Sequence, residues 1–248
     1  MRLFKLLCFA LLPLTIGGCQ TLFKPETAQN LPTSQQRWEH RPQGCSGSEC
    51  PLVNIDLQLL KDLPQLNARI ERELLALTVE LPGDPLPSSL QAYEQAFLAN
   101  AQPGWTSYLQ AKVVEQHDRL VVIELSSYRF TGGDHGIPGR AYLNYDRQLD
   151  KVLSLQDMLL PGEEASFWET AKLAHQAWLV ANGHGDDSAF QQSWPFERTD
   201  NIGLLFGTVM LKYDIDRIAP YSTGHPELKI PYPRLNGILK PQYFPGRG

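Results

Sequence analysis

Basic charge is scarce in this sequence. Its 27 Asp and Glu outnumber 22 Lys and Arg, for a formal net charge of −5. A nucleic-acid binder needs a basic patch or stripe to neutralise phosphates, and none is present. Catalytic signatures are missing too. There is no His-Glu-x-x-His, no Walker loop, no dinucleotide fingerprint and no Gly-x-Ser-x-Gly elbow. No apolar run reaches the roughly 20 residues that cross a bilayer, and no internal repeat marks a solenoid. Cysteine is rare, with four in 248 residues.

The N-terminus has a definite pattern. Met1-Arg2-Leu3-Phe4-Lys5 is a short basic region, and Leu6 to Ile16 is an apolar run of signal-peptide length. Ile16-Gly17-Gly18-Cys19 resembles the bacterial lipobox. That resemblance implies cleavage of residues 1–18, lipidation of Cys19 and, with Gln20 rather than Asp next, an outer-membrane anchor facing the periplasm. The alternative is an ordinary secretory signal with a chance cysteine. Loss of Arg2 and Lys5 with the signal leaves 20 basic against 27 acidic residues, a net charge of −7.

Two of the four cysteines are thereby spoken for, Cys8 by the signal and Cys19 by the anchor. Cys45 and Cys50 remain, a C-x4-C pair in Gly/Ser-rich sequence. In an oxidising periplasm they are expected to form a disulfide. A loop so small adds at most about 2 kcal/mol. The competing reading, half of a metal site, lacks a second cysteine pair and histidines at ligand spacing.

Residues 19–50 read as a flexible tether, poor in branched aliphatics, with Trp38 as the residue able to dock on a folded part. Globular sequence begins at Pro51. Val53, Ile55 and Leu57 alternate, predicting a strand over 52–58. Leu66, Ile70, Leu74 and Leu77 recur at helical spacing over 64–77. Ser88-Ser89-Leu90-Gln91 predicts a capping box ahead of a second helix. Two strands, 105–114 and 120–130, flank a polar turn at 115–119. A further strand follows at 140–145, and Ser154 caps a short turn. Phe167, Ala171, Ala174 and Trp178 define a helix over 163–181. Residues 196–198 and 204–213 read as strands, the second with a bulge at Gly207, and Leu228 and Ile230 lie in the last one. Strands and helices come in groups rather than in alternation. The expected fold is α+β, antiparallel sheet packed with a few helices, in two interlocked submodules. These are a strand–helix–hairpin module over 51–119 and a C-terminal domain over 120–240.

Between two predicted strands lies Thr131-Gly132-Gly133-Asp134-His135-Gly136. Its glycines demand a sharp turn. Asp134 and His135 can act as a general acid/base pair, or His135 as a metal ligand, but a triad also needs a nucleophile and an orienting group. The structural alternative, His135 hydrogen-bonded to hold the turn, is favoured. His184-Gly185-Asp186-Asp187 offers metal-ligand types but follows a helix end, where it reads as a solvated loop. His175 reads as a packing residue. Pro220-Tyr221, in a loop closed by Gly224, is either a rigid aromatic anchor for a partner or a tyrosine packed on the sheet.

Several of these pieces taken together resemble one family. They are Gly132-Gly133-Asp134-His135-Gly136, Tyr142-Leu143-Asn144-Tyr145, Leu155-Gln156-Asp157-Met158-Leu159, Gly203-Leu204-Leu205-Phe206, Ile218-Ala219-Pro220-Tyr221-Ser222-Thr223-Gly224 and Ile230-Pro231-Tyr232. In order and spacing over 120–235 the set resembles the exported ligand-binding domain of RsiV-type anti-sigma factors, found also beside the deacetylase domain of PdaC-type peptidoglycan deacetylases. The resemblance implies a binding domain for lysozyme or peptidoglycan. It carries over no signalling and no deacetylation, because no Thr-Phe-Asp-Asp-Gly-type deacetylase motif and no internal transmembrane segment is present. The chain is thus read as a non-enzymatic, periplasm-facing outer-membrane lipoprotein, with no catalytic residue, metal or cofactor assigned. An envelope hydrolase using Asp134 and His135, and a purely structural lipoprotein, are the alternatives.

Overall fold

A computed structural model describes residues 30–81 and 83–247. The lipobox and Cys19 lie outside the described residues. The fold is α+β, built on a six-stranded sheet in simple sequential order. Its strands are β1 (Thr33–His40), β2 (Leu52–Leu60), β3 (Thr106–His117), β4 (Leu120–Phe130), β5 (Ile137–Asp146) and β6 (Lys151–Val152). All pairs are antiparallel except β2–β3, which is parallel. A parallel neighbour requires a crossover. It is made by helices α1 (Pro64–Ala76) and α2 (Leu90–Asn100), which pack on one face of the sheet.

Alternation decides what each face does. Val53, Ile55 and Leu57 of β2, Leu109 and Ala111 of β3, and Val121, Ile123 and Leu125 of β4 are buried beneath α1 and α2. The spacing Leu66, Ile70, Leu74 supplies the helical half of this core.

A second core lies toward the C-terminus. It contains β7 (Ile202–Leu205), β8 (Thr208–Lys212) and β9 (Glu227–Ile230), an antiparallel sheet covered by a long helix, α4 (Glu164–Ala181), which buries Phe167, Trp168 and Ala171 against it. Two short helices, α3 (Leu155–Met158) and α5 (Ser188–Ser193), flank α4.

The joint between the two sheets is specific. One edge of β7 is turned onto the opposite face of the large sheet, and side chains of that face satisfy it. The Asn144 side-chain amide donates to Ile202 O at 2.6 Å and its oxygen accepts from Leu204 N at 2.7 Å, both buried. His117 Nε2 donates to Leu204 O at 2.9 Å, and Glu115 accepts from Phe206 N. Residues 202, 204 and 206 alternate, as one edge of a strand must. Gly203 has no side chain because a Cβ there meets the Tyr142 ring at 3.1 Å.

Several expectations change. Residues 33–40, expected in the tether, form β1, and Trp38 donates to Glu94 of α2 at 2.6 Å. The expected boundary at 119/120 falls in the β3–β4 turn, within one sheet. Residues 115–117, expected in a turn, continue β3 past a bulge that redirects Glu115 and His117 toward β7. The cap of α2 is Ser89 rather than Ser88, accepting from Ala92 N at 3.0 Å, while Glu71 of α1 accepts from the Leu90 N–H. The expected strand over 204–213 is a hairpin, with Gly207 in its two-residue turn. Residues 196–198 are not a strand; Phe196 packs on Trp168 and His175 instead. The Cys45–Cys50 disulfide is present, within the β1–β2 connection.

Two predictions follow from the joint and the core. Asn144→Ala leaves one buried acceptor and one buried donor without partners, at a cost of about 3 kcal/mol. The measurement is the urea midpoint against the parent chain. The second concerns His175 and His225. Burial pushes both below the ordinary histidine value, with Arg140 adding to the effect at His225 against the hydrogen bond to Tyr213 O, and each has a buried Nε2 without a partner. A histidine kept neutral in the folded state binds fewer protons than in the unfolded one. Its stability is therefore full above about pH 6.5 and falls as pH drops below that value. Unfolding free energy is expected to decline from pH 7.5 to 5.5, and the His175→Leu, His225→Gln double variant to decline less steeply.

Candidate recognition surface

Helices cover one face of the large sheet. The second sheet covers the other face only along β4 and β5 toward the β3–β4 turn. The rest of that face, over β1, β2, β3 and the far end of β4, is open. The glycine loop lies at this open end.

Gly132 and Gly133 take φ of 93° and 87°, the left-handed region that favours glycine. Gly136 is required for a different reason. A Cβ there meets Cζ of Tyr128 at 2.3 Å, so the Tyr128 ring occupies the space a side chain would need. From 85 residues away, the Tyr221 hydroxyl donates to Gly136 O at 2.9 Å. The Tyr221 ring also stacks on His135, with centroids 4.6 Å apart and planes 17° apart. Pro220 sets the approach with φ −66°, a single 3-10 turn over Tyr221–Thr223 follows, and Gly224 at φ 74° ends it. Fully buried Ile218 and Ala219 anchor the segment.

The structure thus brings Gly132, Gly133, Asp134, His135, Gly136, Pro220 and Tyr221 together. The expected role of His135 is corrected. Among the described residues its side chain makes no hydrogen bond; the Tyr221 hydroxyl holds the loop, and the imidazole is an exposed ring stacked on Tyr221. Asp134 is exposed, and no hydrogen bond or ion pair joins its side chain to His135. Among the described residues no carboxylate or hydroxyl is hydrogen-bonded to the imidazole.

The surroundings are aromatic and open. Tyr108 and Tyr128, opposite one another on β3 and β4, are 42% and 38% exposed with ring centroids 6.2 Å apart. Ile137, next to Gly136, is 57% exposed. Two concavities open on the two faces of the sheet. On the helix side, Tyr93, Phe97, Trp105, Pro85, Pro87 and Arg129 line a groove of about 440 Å³ that reaches Thr131. On the open sheet face, Gln35, Arg37, Asp56, Gln58, Gln110 and Lys112 line a trough of about 480 Å³. Arg37 beside Asp56 holds its carboxyl below the usual carboxylate range.

Nearer the second sheet, burial and then the Glu124 carboxylate push Tyr142 up to about 12. Lys212 lies over the Tyr142 ring and bridges Glu124 and Glu227. His184 stacks on Phe190 at 3.6 Å, and Asp187 caps α5, so 184–187 is a helix-capping turn. Among the described residues no group of three or more His, Cys, Asp or Glu could hold a metal ion, and no helix is long and apolar enough to cross a membrane.

Neither concavity was legible in the sequence. Their residues come from separate strands and loops, and Gln and Arg on an edge strand read as ordinary solvated positions.

Two sheets, one standing by its edge on the face of the other, define an α+β fold. Comparison with known proteins gives the family. The family profile described as protein of unknown function (DUF3298) matches residues 156–233. A crystal structure of a DUF3298 family protein from Pseudomonas aeruginosa PAO1 is 61% identical, with a TM-score of 0.83, covering 88% of this chain and 98% of that one. A DUF3298 member from Bacteroides fragilis NCTC 9343 is 18% identical with a TM-score of 0.64, covers 88% and 96% of the two chains, and shares the fold. No curated protein matches. The chain belongs to the DUF3298 family.

Tyr221→Phe removes the hydroxyl that holds Gly136 and keeps the stacked ring. The expected cost is about 1 kcal/mol, read by urea unfolding, with exchange of the amides of residues 132–137 accelerated relative to the rest of the sheet.

Proposed function

We propose that this protein is a non-enzymatic lipoprotein of the cell envelope, anchored through Cys19 in the outer membrane and facing the periplasm. Its DUF3298 domain recognises a cell-wall-related partner, a lysozyme-type muramidase or peptidoglycan itself. Residues 1–18 serve as signal, the segment from Cys19 to β1 gives reach, and the two packed cores present the surface.

The observation carrying this reading is the exposed aromatic patch at the glycine loop. His135, Tyr221, Tyr128 and Tyr108 are rings held at the open end of a rigid sheet, with Tyr108 and Tyr128 well exposed. A purely structural lipoprotein gains nothing from exposed tyrosines fixed on a glycine-shaped support. Rigid tyrosines with accessible faces suit recognition, because they offer large contact area at small entropic cost. The similarity of the motif set to RsiV-type exported domains supports the choice of partner, and the acidic balance favours encounter with a cationic muramidase.

The test uses purified residues 20–248 at low salt, with hen lysozyme and with soluble muropeptides, by calorimetry or interferometry. Binding to at least one is expected, weakened about tenfold by Tyr221→Ala, a loss of about 1.4 kcal/mol. Absence of binding to both would refute the proposal.

A further inference from the structure

The open sheet face carries a second set of groups that the aromatic patch does not use. Asp56, at the middle of β2, organises it. Its carboxylate accepts from Arg37 Nη2 at 2.7 Å, from Gln35 Nε2 at 2.8 Å and from Gln110 Nε2 at 3.5 Å. One carboxylate therefore fixes three side chains from two neighbouring strands. Gln58 is spent differently, donating to Thr33 and accepting from Val113 N, which stiffens the floor.

What stays unused defines a ligand. Among the described residues the side-chain oxygens of Gln35 and Gln110 accept no hydrogen bond, and Arg37 retains N–H groups beyond the one given to Asp56. Among the described residues Lys112 makes no ion pair or hydrogen bond; Glu124, opposite it in register, pairs with Arg140 and Lys212 instead. Outside the trough lining but on the same face, two residues along β3 from Gln110, the Tyr108 ring lies beside Tyr128. Neither tyrosine hydroxyl has a protein partner.

Fixed amide oxygens and guanidinium N–H groups match ligand hydroxyls, which donate and accept at once. Exposed tyrosine faces match the C–H face of a pyranose ring. The Lys112 ammonium and the Arg37 guanidinium, which line the same trough, complement a carboxylate. Groups already held by Asp56 lose little freedom on binding. The trough, about 480 Å³, has room for a disaccharide.

We infer that the open face of β1, β2 and β3 is a binding site for an acidic saccharide: Gln35, Arg37 and Gln110 bond its hydroxyls, Lys112 pairs with its carboxylate and Tyr108 stacks on its ring. The inference rests on the envelope-binding role proposed above and selects the glycan over the muramidase as the ligand of this face.

The test compares two probes on residues 20–248. One is the N-acetylglucosamine–N-acetylmuramic acid disaccharide, which carries a carboxylate; the other is neutral chitobiose. The acidic probe is expected to bind about tenfold more tightly. Tyr108→Ala should weaken both probes about tenfold. Lys112→Ala should remove the preference between them and leave chitobiose unchanged. Both positions are solvent-exposed, and matching urea midpoints verify that the variants fold. If the disaccharide binds but neither variant alters it, the inference fails and the envelope role survives. The same holds if lysozyme binds and no saccharide does. If nothing binds, both readings fall together.

Discussion

The side-chain amide of Asn144 takes the place of a neighbouring strand. It gives one donor and one acceptor to the free edge of β7, inside the protein, where those backbone groups could find no water. An edge strand with open hydrogen-bonding groups invites misassociation. Here Asn144, His117 and Glu115 close it from the face of another sheet. Much of the architecture depends on that arrangement. The β3 bulge turns Glu115 and His117 the right way, Gly203 leaves room for Tyr142, and the Tyr232 hydroxyl donates to Leu205 O at 2.8 Å on the same hairpin. The motif set that marks the chain thus has a mechanical meaning: many of its residues make the joint between the sheets or shape the glycine loop at the sheet's other end.

The joint also decides where function can reside. The large sheet has two faces, and helices take one. The second sheet, standing on its edge, covers only part of the other. The remainder is left open on strands that are themselves rigid. The glycine loop borders this open region, and Tyr221, delivered by the buried Ile218-Ala219 segment, fastens the loop through Gly136.

Much of this was legible wherever a periodic apolar pattern existed. Leu66, Ile70 and Leu74 gave α1, Phe167 and Ala171 gave α4, and the alternation through Val121, Ile123 and Leu125 gave β4. Elements without such a pattern were missed. β1 has Trp38 as its one large apolar residue and draws stability from pairing with β2 and from Glu94. α5 buries no side chain. Apolar continuity from Leu204 to Tyr213 concealed a hairpin whose two strands are both buried. The contents of the candidate surface were legible as residues but not as a place. The contact of His135 with Tyr221 spans most of a domain in sequence, and Tyr128 above Gly136 follows from pleat and register rather than from any motif. The role of His135 reversed for the same reason: a stacking partner so distant leaves no local signal.

In the proposed function, the uncovered part of the large sheet, with the glycine loop at its end, is the recognition surface. The most direct test maps amide chemical shifts of residues 20–248 on titration with a soluble muropeptide. The account predicts perturbations concentrated in the open-face residues of β1, β2 and β3 and in residues 131–137. Perturbations centred on the groove beneath Trp105 and Phe97, or on α4, with the open face unmoved, would contradict it.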